Sequence, residues 1–100
     1  MITGPLCKAG RSLVEVTRAK LARNTDVEES VIQNFERGID TPDDAVILAL
    51  QKSLEELGAV FIPEQGSNGH GVRLKFSQSV TDRLRGFVNE GGPSRKDAVP

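Results

Sequence analysis

The spacing of apolar residues along the first 58 positions predicts a series of four amphipathic helices. The first helix is expected over about Pro5–Val14, with Thr3 as its N-cap. One face of that helix is apolar and is expected to be buried; it comprises Leu6, Ala9 and Leu13. A shorter second helix is expected over about Thr17–Asn24, with its first residue as the N-cap and with Leu21 and Ala22 directed inward.

A third helix is expected over about Glu28–Arg37, because apolar residues again recur at helical spacing. Those residues are Val31, Ile32, Phe35 and Ile39. Gly38 is a natural terminator, since glycine readily adopts the left-handed backbone that ends many helices.

The fourth helix has clear predicted boundaries. Thr41 is the expected N-cap, Pro42 the first helical residue and Gly58 the stop. Asp43 and Asp44 would then lie at the positive end of the helix dipole. The apolar positions of this helix are Ile47, Leu50, Leu54 and Leu57.

After residue 58 the periodicity changes to one typical of strands. Val60–Ile62 is a short apolar run, and Val72–Phe76 alternates between apolar and basic residues. The connector between them, residues 65–71, is rich in glycine and other turn-forming residues. This pattern predicts a β-hairpin.

A last amphipathic helix is expected over Ser79–Asn89, with an apolar face of Val80, Leu84, Phe87 and Val88. That face either covers the core of the same chain or forms the seam of a dimer. Residues 91–100 can bury little and are expected to form a mobile tail. The chain is thus predicted to be mostly α, with a helical domain at 1–58, an extension at 59–90 and a tail at 91–100.

Composition limits the classes of function. One hundred residues make one small domain, and 13 basic against 14 acidic residues give a net charge of −1. The near-neutral total gives no whole-chain argument for nucleic-acid binding. The only aromatic residues are four phenylalanines, which argues against a stacking platform for single-stranded nucleic acid. One cysteine, Cys7, and one histidine, His70, are too few for a disulfide or a metal cluster, so no cofactor is expected.

The sequence also lacks the signs of a membrane protein or an enzyme. No apolar run approaches the roughly 20 residues of a membrane-spanning helix, and the first residues lack a secretory signal, so we expect a cytoplasmic protein without a membrane partner. No nucleophile–base pair or phosphate-cradling loop is present, so we expect no enzyme activity. Cys7 is expected to be a small packed residue, with redox sensing as the alternative, and His70 a turn residue.

Charge is strongly segregated along the chain. Residues 8–23 carry five basic side chains against one acidic, and residues 26–44 carry seven acidic side chains against one arginine. Residues 73–97 are again mainly basic. Such patches bear on the choice of partner more than the total charge does.

Residues 17–38 have the pattern of a helix-turn-helix, with two short helices joined by a tight turn at Thr25–Asp26. When the apolar residues of the third helix are buried, its polar residues lie outside. These are Glu29, Ser30, Gln33, Asn34 and Arg37. Asparagine and glutamine amides can donate to and accept from adenine, and arginine can bind guanine or a phosphate. Thr17 and Arg18, together with the free backbone amides at the start of the second helix, would bind a DNA phosphate. The alternative is that these are ordinary solvated or helix-start residues.

Taken together, these residues resemble the Cro/CI-like, or xenobiotic-response-element-type, helix-turn-helix transcriptional regulators. The resemblance covers about residues 2–76. The segments that carry it are Leu6–Arg11 with Leu13, Leu21–Ala22, Val27, Ile32, Phe35–Gly38, Pro42, Leu54–Gly58, Phe61–Glu64 and Gly71–Leu74.

The resemblance implies a lambda-repressor-like bundle of four helices, followed by a β-hairpin and a C-terminal helix. It also implies a sequence-specific DNA-binding regulator whose third helix lies in the major groove, and an ion pair between Arg11 and Glu36. A single short helix contacts few base pairs, so a homodimer on a palindromic double-stranded operator would supply the remaining affinity.

A second hypothesis treats the same scaffold as a protein-interaction module of an antiactivator or antitoxin kind. Glu28 and Glu29 place two carboxylates where DNA phosphates would lie, and both oppose binding to a polyanion. An acidic third helix would instead dock on a basic protein partner.

Overall fold

The structure is a computed structural model that describes residues 1–77. Within that range the chain is mostly helical and ends in a two-stranded antiparallel sheet, as the sequence predicted. Its elements are α1 (Gly4–Val14), α2 (Arg18–Thr25), α3 (Glu29–Glu36), α4 (Asp44–Glu56), β1 (Ala59–Ile62) and β2 (Gly71–Leu74). The predicted helix over residues 79–89 and the tail at 91–100 lie outside the described residues.

Local capping determines where α1 and α2 begin. The Thr3 hydroxyl accepts a hydrogen bond from the Leu6 amide at 3.3 Å, and the Thr17 hydroxyl accepts one from the Lys20 amide at 3.1 Å. Both predicted N-caps are confirmed. Asp26, at the turn between α2 and α3, has the expected left-handed backbone with φ of 59°.

The chain leaves α3 through a Schellman motif centred on Gly38, whose φ is 75°. The Ile39 amide donates to the Asn34 carbonyl at 2.9 Å, and the Gly38 amide donates to the Phe35 carbonyl at 3.1 Å. This reversal turns Ile39 outward, where it is 66% exposed. Ile39 thus shares the helical spacing of α3 without continuing its buried face, and Val31, which was expected inside, is only half-buried.

The predicted start of α4 is also wrong. The helix begins at Asp44 and its N-cap is Asp43, whose carbonyl accepts from the amides of Val46 and Ile47 at 3.0 Å. Thr41 does not cap it, because it lies two residues before this N-cap, and its amide donates to the Asp40 carboxylate at 2.9 Å. Pro42 thus lies before the helix.

The buried face of α1 differs from the predicted one by one position. Cys7, Gly10 and Val14 are buried, whereas the predicted residues Leu6, Ala9 and Leu13 are half-buried. The reason is close packing at two glycines. A Cβ at Gly4 would overlap the backbone carbonyl of Phe35, and one at Gly10 would lie 2.9 Å from the Phe61 ring.

The core lies where the four helices meet the inner face of the sheet. Leu21, Ile32, Leu50 and Leu54 are fully enclosed, as predicted, whereas Ala22, also predicted to point inward, is half-buried. Ala59 pairs with Leu74 and Phe61 with Val72, and these four residues pack on the helical core. Leu57, the last apolar position predicted for α4, lies beyond its end and is exposed.

Candidate nucleic-acid interface

The inner and outer flanks of α3 have different compositions and different burial. Ile32, Phe35 and Glu36 are buried against the rest of the molecule. The five polar residues predicted to face outward lie on the opposite side or on its margin: Glu29, Ser30 and Arg37 are exposed, and Gln33 and Asn34 are half-buried. The hydrophobic stripe thus fixes one side of the helix, and the helical period carries these polar side chains to the other.

Two of these outer residues contact each other. With the Gln33 amide oriented so that its oxygen faces Arg37, that oxygen accepts from both terminal guanidinium nitrogens at 3.1 Å. The two residues are four positions apart, which places them on adjacent turns of one helix face. The oxygen of Gln33 is therefore occupied, and the pair presents N–H donors to any ligand.

The residues predicted to clamp a phosphate lie at the start of α2. Thr17 uses its hydroxyl oxygen to cap the helix, while the amides of Arg18 and Ala19 belong to the first turn and have no acceptor within the helix. The Arg18 side chain is 32% exposed. It does not extend freely into solvent, because its Nε lies 3.5 Å from Oε1 of Glu36.

Glu36 is the centre of a polar cluster between α1, α2 and α3. Its carboxylate is almost completely buried and accepts two hydrogen bonds from Arg11, from Nε and from Nη2, both at 2.9 Å. The predicted ion pair between Arg11 and Glu36 is present in the structure in this fork-to-fork geometry. Arg11 also donates from Nη1 to the Val16 carbonyl at 3.3 Å, which ties the cluster to the end of α1.

Cys7 completes this cluster. Its buried thiol donates to Oε2 of Glu36 at 3.5 Å. The pKa of the Cys7 thiol is raised to about 12. The largest cause is burial, followed by the negative charge of Glu36 and the hydrogen bond to it. The hydrogen bonds that Arg11 donates to Glu36 also raise the pKa of Arg11. A buried, protonated thiol is unreactive, so the cysteine is a packed hydrogen-bond donor in this fold.

Sequence reasoning missed the contacts of Arg18 and Cys7 with Glu36. The available signal was the position of Glu36 itself, directly after Phe35 and four residues after Ile32, on the inner face of α3. A carboxylate at such a position requires cationic or donor partners from other elements. The resemblance implied Arg11 as one of these partners, but nothing in the sequence indicates that Arg18 and Cys7 are the others.

The segment between α2 and the first turn of α4 exposes a concentration of acidic charge. Six carboxylates are exposed: Asp26, Glu28, Glu29, Asp40, Asp43 and Asp44. Arg37 is the one exposed cation in residues 26–44. The predicted acidic character of this region is therefore a property of the surface, and Glu36 is the one acidic residue of the segment that is buried.

Within residues 1–77, no group of three or more histidine, cysteine or acidic side chains could hold a metal ion. A groove of about 270 Å³ lies between the start of α1 and β1, and it is lined by both apolar and polar residues, among them Ile2, Phe61 and His70. No residue of α2 or α3 lines it. No helix of the described chain has the length and apolar content needed to cross a membrane.

Compared with protein-family models and with curated proteins, the chain matches none. The functional conclusion therefore depends on the geometry and charge of α2 and α3.

Proposed function

We propose that this chain is a sequence-specific DNA-binding regulator with a lambda-repressor-like helix-turn-helix, formed by α2, the turn at Asp26 and α3. The observation that carries the proposal is the division of α3 into a buried inner flank and a polar outer flank. A short helix anchored on one side and polar on the other fits the major groove of duplex DNA.

The outer residues divide into two roles in this proposal. Five of them face the base edges of the DNA, namely Glu29, Ser30, Gln33, Asn34 and Arg37. The other two, Thr17 and Arg18, face the DNA backbone. Because the Gln33 oxygen accepts from Arg37, these two act as a unit of N–H donors, which suits the O6 and N7 acceptors of guanine. Asn34 keeps an amide that can both donate to and accept from adenine.

The partner is double-stranded DNA, and the active species is a homodimer on a palindromic operator. α3 spans only eight residues and contacts few base pairs, so two copies are needed for useful affinity. The hairpin and the segment predicted to be helical at residues 79–89 are the proposed dimerisation extension.

The test is selection of binding sites from random duplexes, followed by affinity measurements at several salt concentrations. We expect a palindrome, with log affinity falling steeply against log salt as phosphates are contacted. Gln33→Ala should reduce specific relative to nonspecific binding by roughly 1 to 3 kcal/mol. The control is Gln65→Ala, at an exposed position outside α2 and α3, which should change neither quantity. Equal loss on operator and scrambled duplex would contradict base contact by Gln33.

The six exposed carboxylates favour a second candidate, a protein-interaction module that docks on a basic partner. The two functions predict opposite effects of removing acidic charge. Asp40→Asn with Asp43→Asn should tighten binding to any duplex if DNA passes nearby, and should weaken binding to a basic protein. Recovery of no DNA site, with charge-dependent binding to a basic protein, would favour this second function.

A further inference from the structure

Arg18 has an unusual environment in the polar cluster around Glu36. Its Nε is enclosed by protein and makes no hydrogen bond to any described residue, and no other enclosed side-chain nitrogen or oxygen of residues 1–77 lacks a partner. Buried donors are nearly always satisfied, because leaving one unpaired costs free energy. The position of Arg18 therefore needs an explanation other than its own hydrogen bonding.

The cluster also has unequal charge. Two guanidinium groups face one carboxylate, and both oxygens of Glu36 already accept from Arg11 at 2.9 Å. Arg18 is attracted to Glu36 at 3.5 Å without forming a hydrogen bond. The cluster as a whole keeps one positive charge in excess.

The geometry of the guanidinium determines which part of Arg18 remains available. Its Nε is enclosed and faces Glu36, whereas the side chain as a whole is 32% exposed. The exposed part must therefore include atoms other than Nε. The two Nη atoms make no hydrogen bond to a described residue and are not among the enclosed atoms that lack a partner, so they are open to solvent.

We propose that Glu36 is a positioning residue that holds the guanidinium of Arg18 at the start of α2, so that its outer Nη edge meets one phosphate of the DNA backbone. This inference rests on the proposed function and adds a role for a buried residue that itself never touches DNA. The expected gain is preorganisation, since a restrained side chain loses less freedom when it binds.

For the affinity of Glu36 variants for duplex DNA, the proposal predicts the opposite of what charge alone would give. Removing a negative charge near DNA should tighten binding to the polyanion, which is the expected effect of Glu28→Gln at an exposed position. If Glu36 positions Arg18, Glu36→Gln should weaken binding instead. Glu28→Gln is thus the matched control, with the same change of charge and atoms.

The experiment measures duplex affinity and thermal unfolding for the wild type, Glu28→Gln, Glu36→Gln, Arg18→Gln and the double variant at residues 18 and 36. We expect Glu36→Gln to weaken affinity about fivefold and Arg18→Gln to do so by a similar factor, with the double variant no weaker than Arg18→Gln. Arg18→Gln should also reduce the slope of log affinity against log salt by about 0.9, the value for one phosphate. A Glu36→Gln variant that is folded and binds as tightly as the wild type, or more tightly, overturns the proposal.

A second variant tests the proposal without changing Glu36, in case Glu36→Gln fails to fold. Arg18→Lys keeps the charge but lacks the planar group that Glu36 orients, so it should bind duplex about threefold more weakly at unchanged thermal stability. Unchanged affinity of Arg18→Lys overturns the positioning role. If the wild type binds no duplex at any salt concentration, the proposed function fails and the inference falls with it. If the wild type binds but these variants behave as simple charge changes, only the inference fails.

Discussion

On the inner flank of α3, Ile32, Phe35 and Glu36 are buried, and Glu36 is fixed by two hydrogen bonds from another helix. On the outer flank, Ser30 and Arg37 are exposed, and Arg37 contacts a residue of its own helix. Burying an apolar side chain such as that of Ile32 or Phe35 stabilises the fold by roughly 1.5 to 3 kcal/mol. An exposed pair of side chains on one helix stabilises it by only roughly 0.2 to 0.5 kcal/mol. The inner flank therefore determines where α3 lies, and the outer flank can change its chemistry at little cost to the fold.

The largest expected effect compares two isoleucines that share the helical spacing of α3 but differ in burial. Ile32→Ala should lower the free energy of unfolding by about 4 kcal/mol, because it leaves a cavity in a fully enclosed part of the core. Ile39→Ala should change it by less than about 0.5 kcal/mol, since that side chain is 66% exposed. Denaturant unfolding of both variants measures the difference. A large loss on changing Ile39 would mean that α3 ends differently from the Schellman motif described above.

The next effect concerns how closely α1 approaches α3. Gly4→Ala should destabilise the fold by about 3 kcal/mol, because the new Cβ overlaps the backbone carbonyl of Phe35 and the two helices must move apart. Gly69→Ala is the control, since no described residue lies within 4 Å of a Cβ built there. Its effect should stay within about 0.5 kcal/mol. Equal melting temperatures for the two variants would contradict the close contact between α1 and α3.

The smallest effect is the pH dependence contributed by Cys7. Its folded-state pKa is raised from 9.0 to about 12, so the folded protein holds the thiol proton more tightly than the unfolded chain does. The resulting stabilisation is fully present below pH 9 and is lost as the pH rises from 9 towards 12. At a pH one unit above the pKa of the thiol in the unfolded chain, the expected loss of folding stability is about 1 kcal/mol.

Cys7→Ala is the control for this pH effect. The variant loses some stability at every pH, but its stability should fall less steeply than that of the wild type above pH 9. Parallel curves for the two proteins would show that Cys7 does not titrate in the way its burial beside Glu36 requires.

The parts of the fold that the sequence predicted correctly depend on short-range interactions. Thr3 and Thr17 cap helices through amides three residues away, and Asp26 adopts a left-handed backbone at a turn. The outward set on α3 was predictable for the same reason, because the helical period alone places those residues opposite Ile32 and Phe35. Even the contact of Gln33 with Arg37 is a neighbour relation within one helix.

The differences between prediction and structure have two physical causes, which are tertiary packing against α1 and the local backbone at the end of α3 and the start of α4. Gly10 lies on the buried face of α1 because the Phe61 ring packs there, and apolar content gave no sign of this. Ile39 follows the helical spacing of α3 but lies beyond the reversal at Gly38. Thr41 and Pro42 have the residue types of a helix start, yet α4 begins only at Asp44, with Asp43 as its N-cap.

By itself, the sequence determined the order and type of the elements in residues 1–77, the caps of α1 and α2 and the residues on the outer flank of α3. These depend on hydrogen bonds and periodicities spanning a few residues. Only the tertiary structure decided that Arg18 of α2 and Cys7 of α1 join Arg11 around Glu36. The reason is that a buried carboxylate must find partners wherever the packing of helices brings them, and sequence spacing does not carry that information.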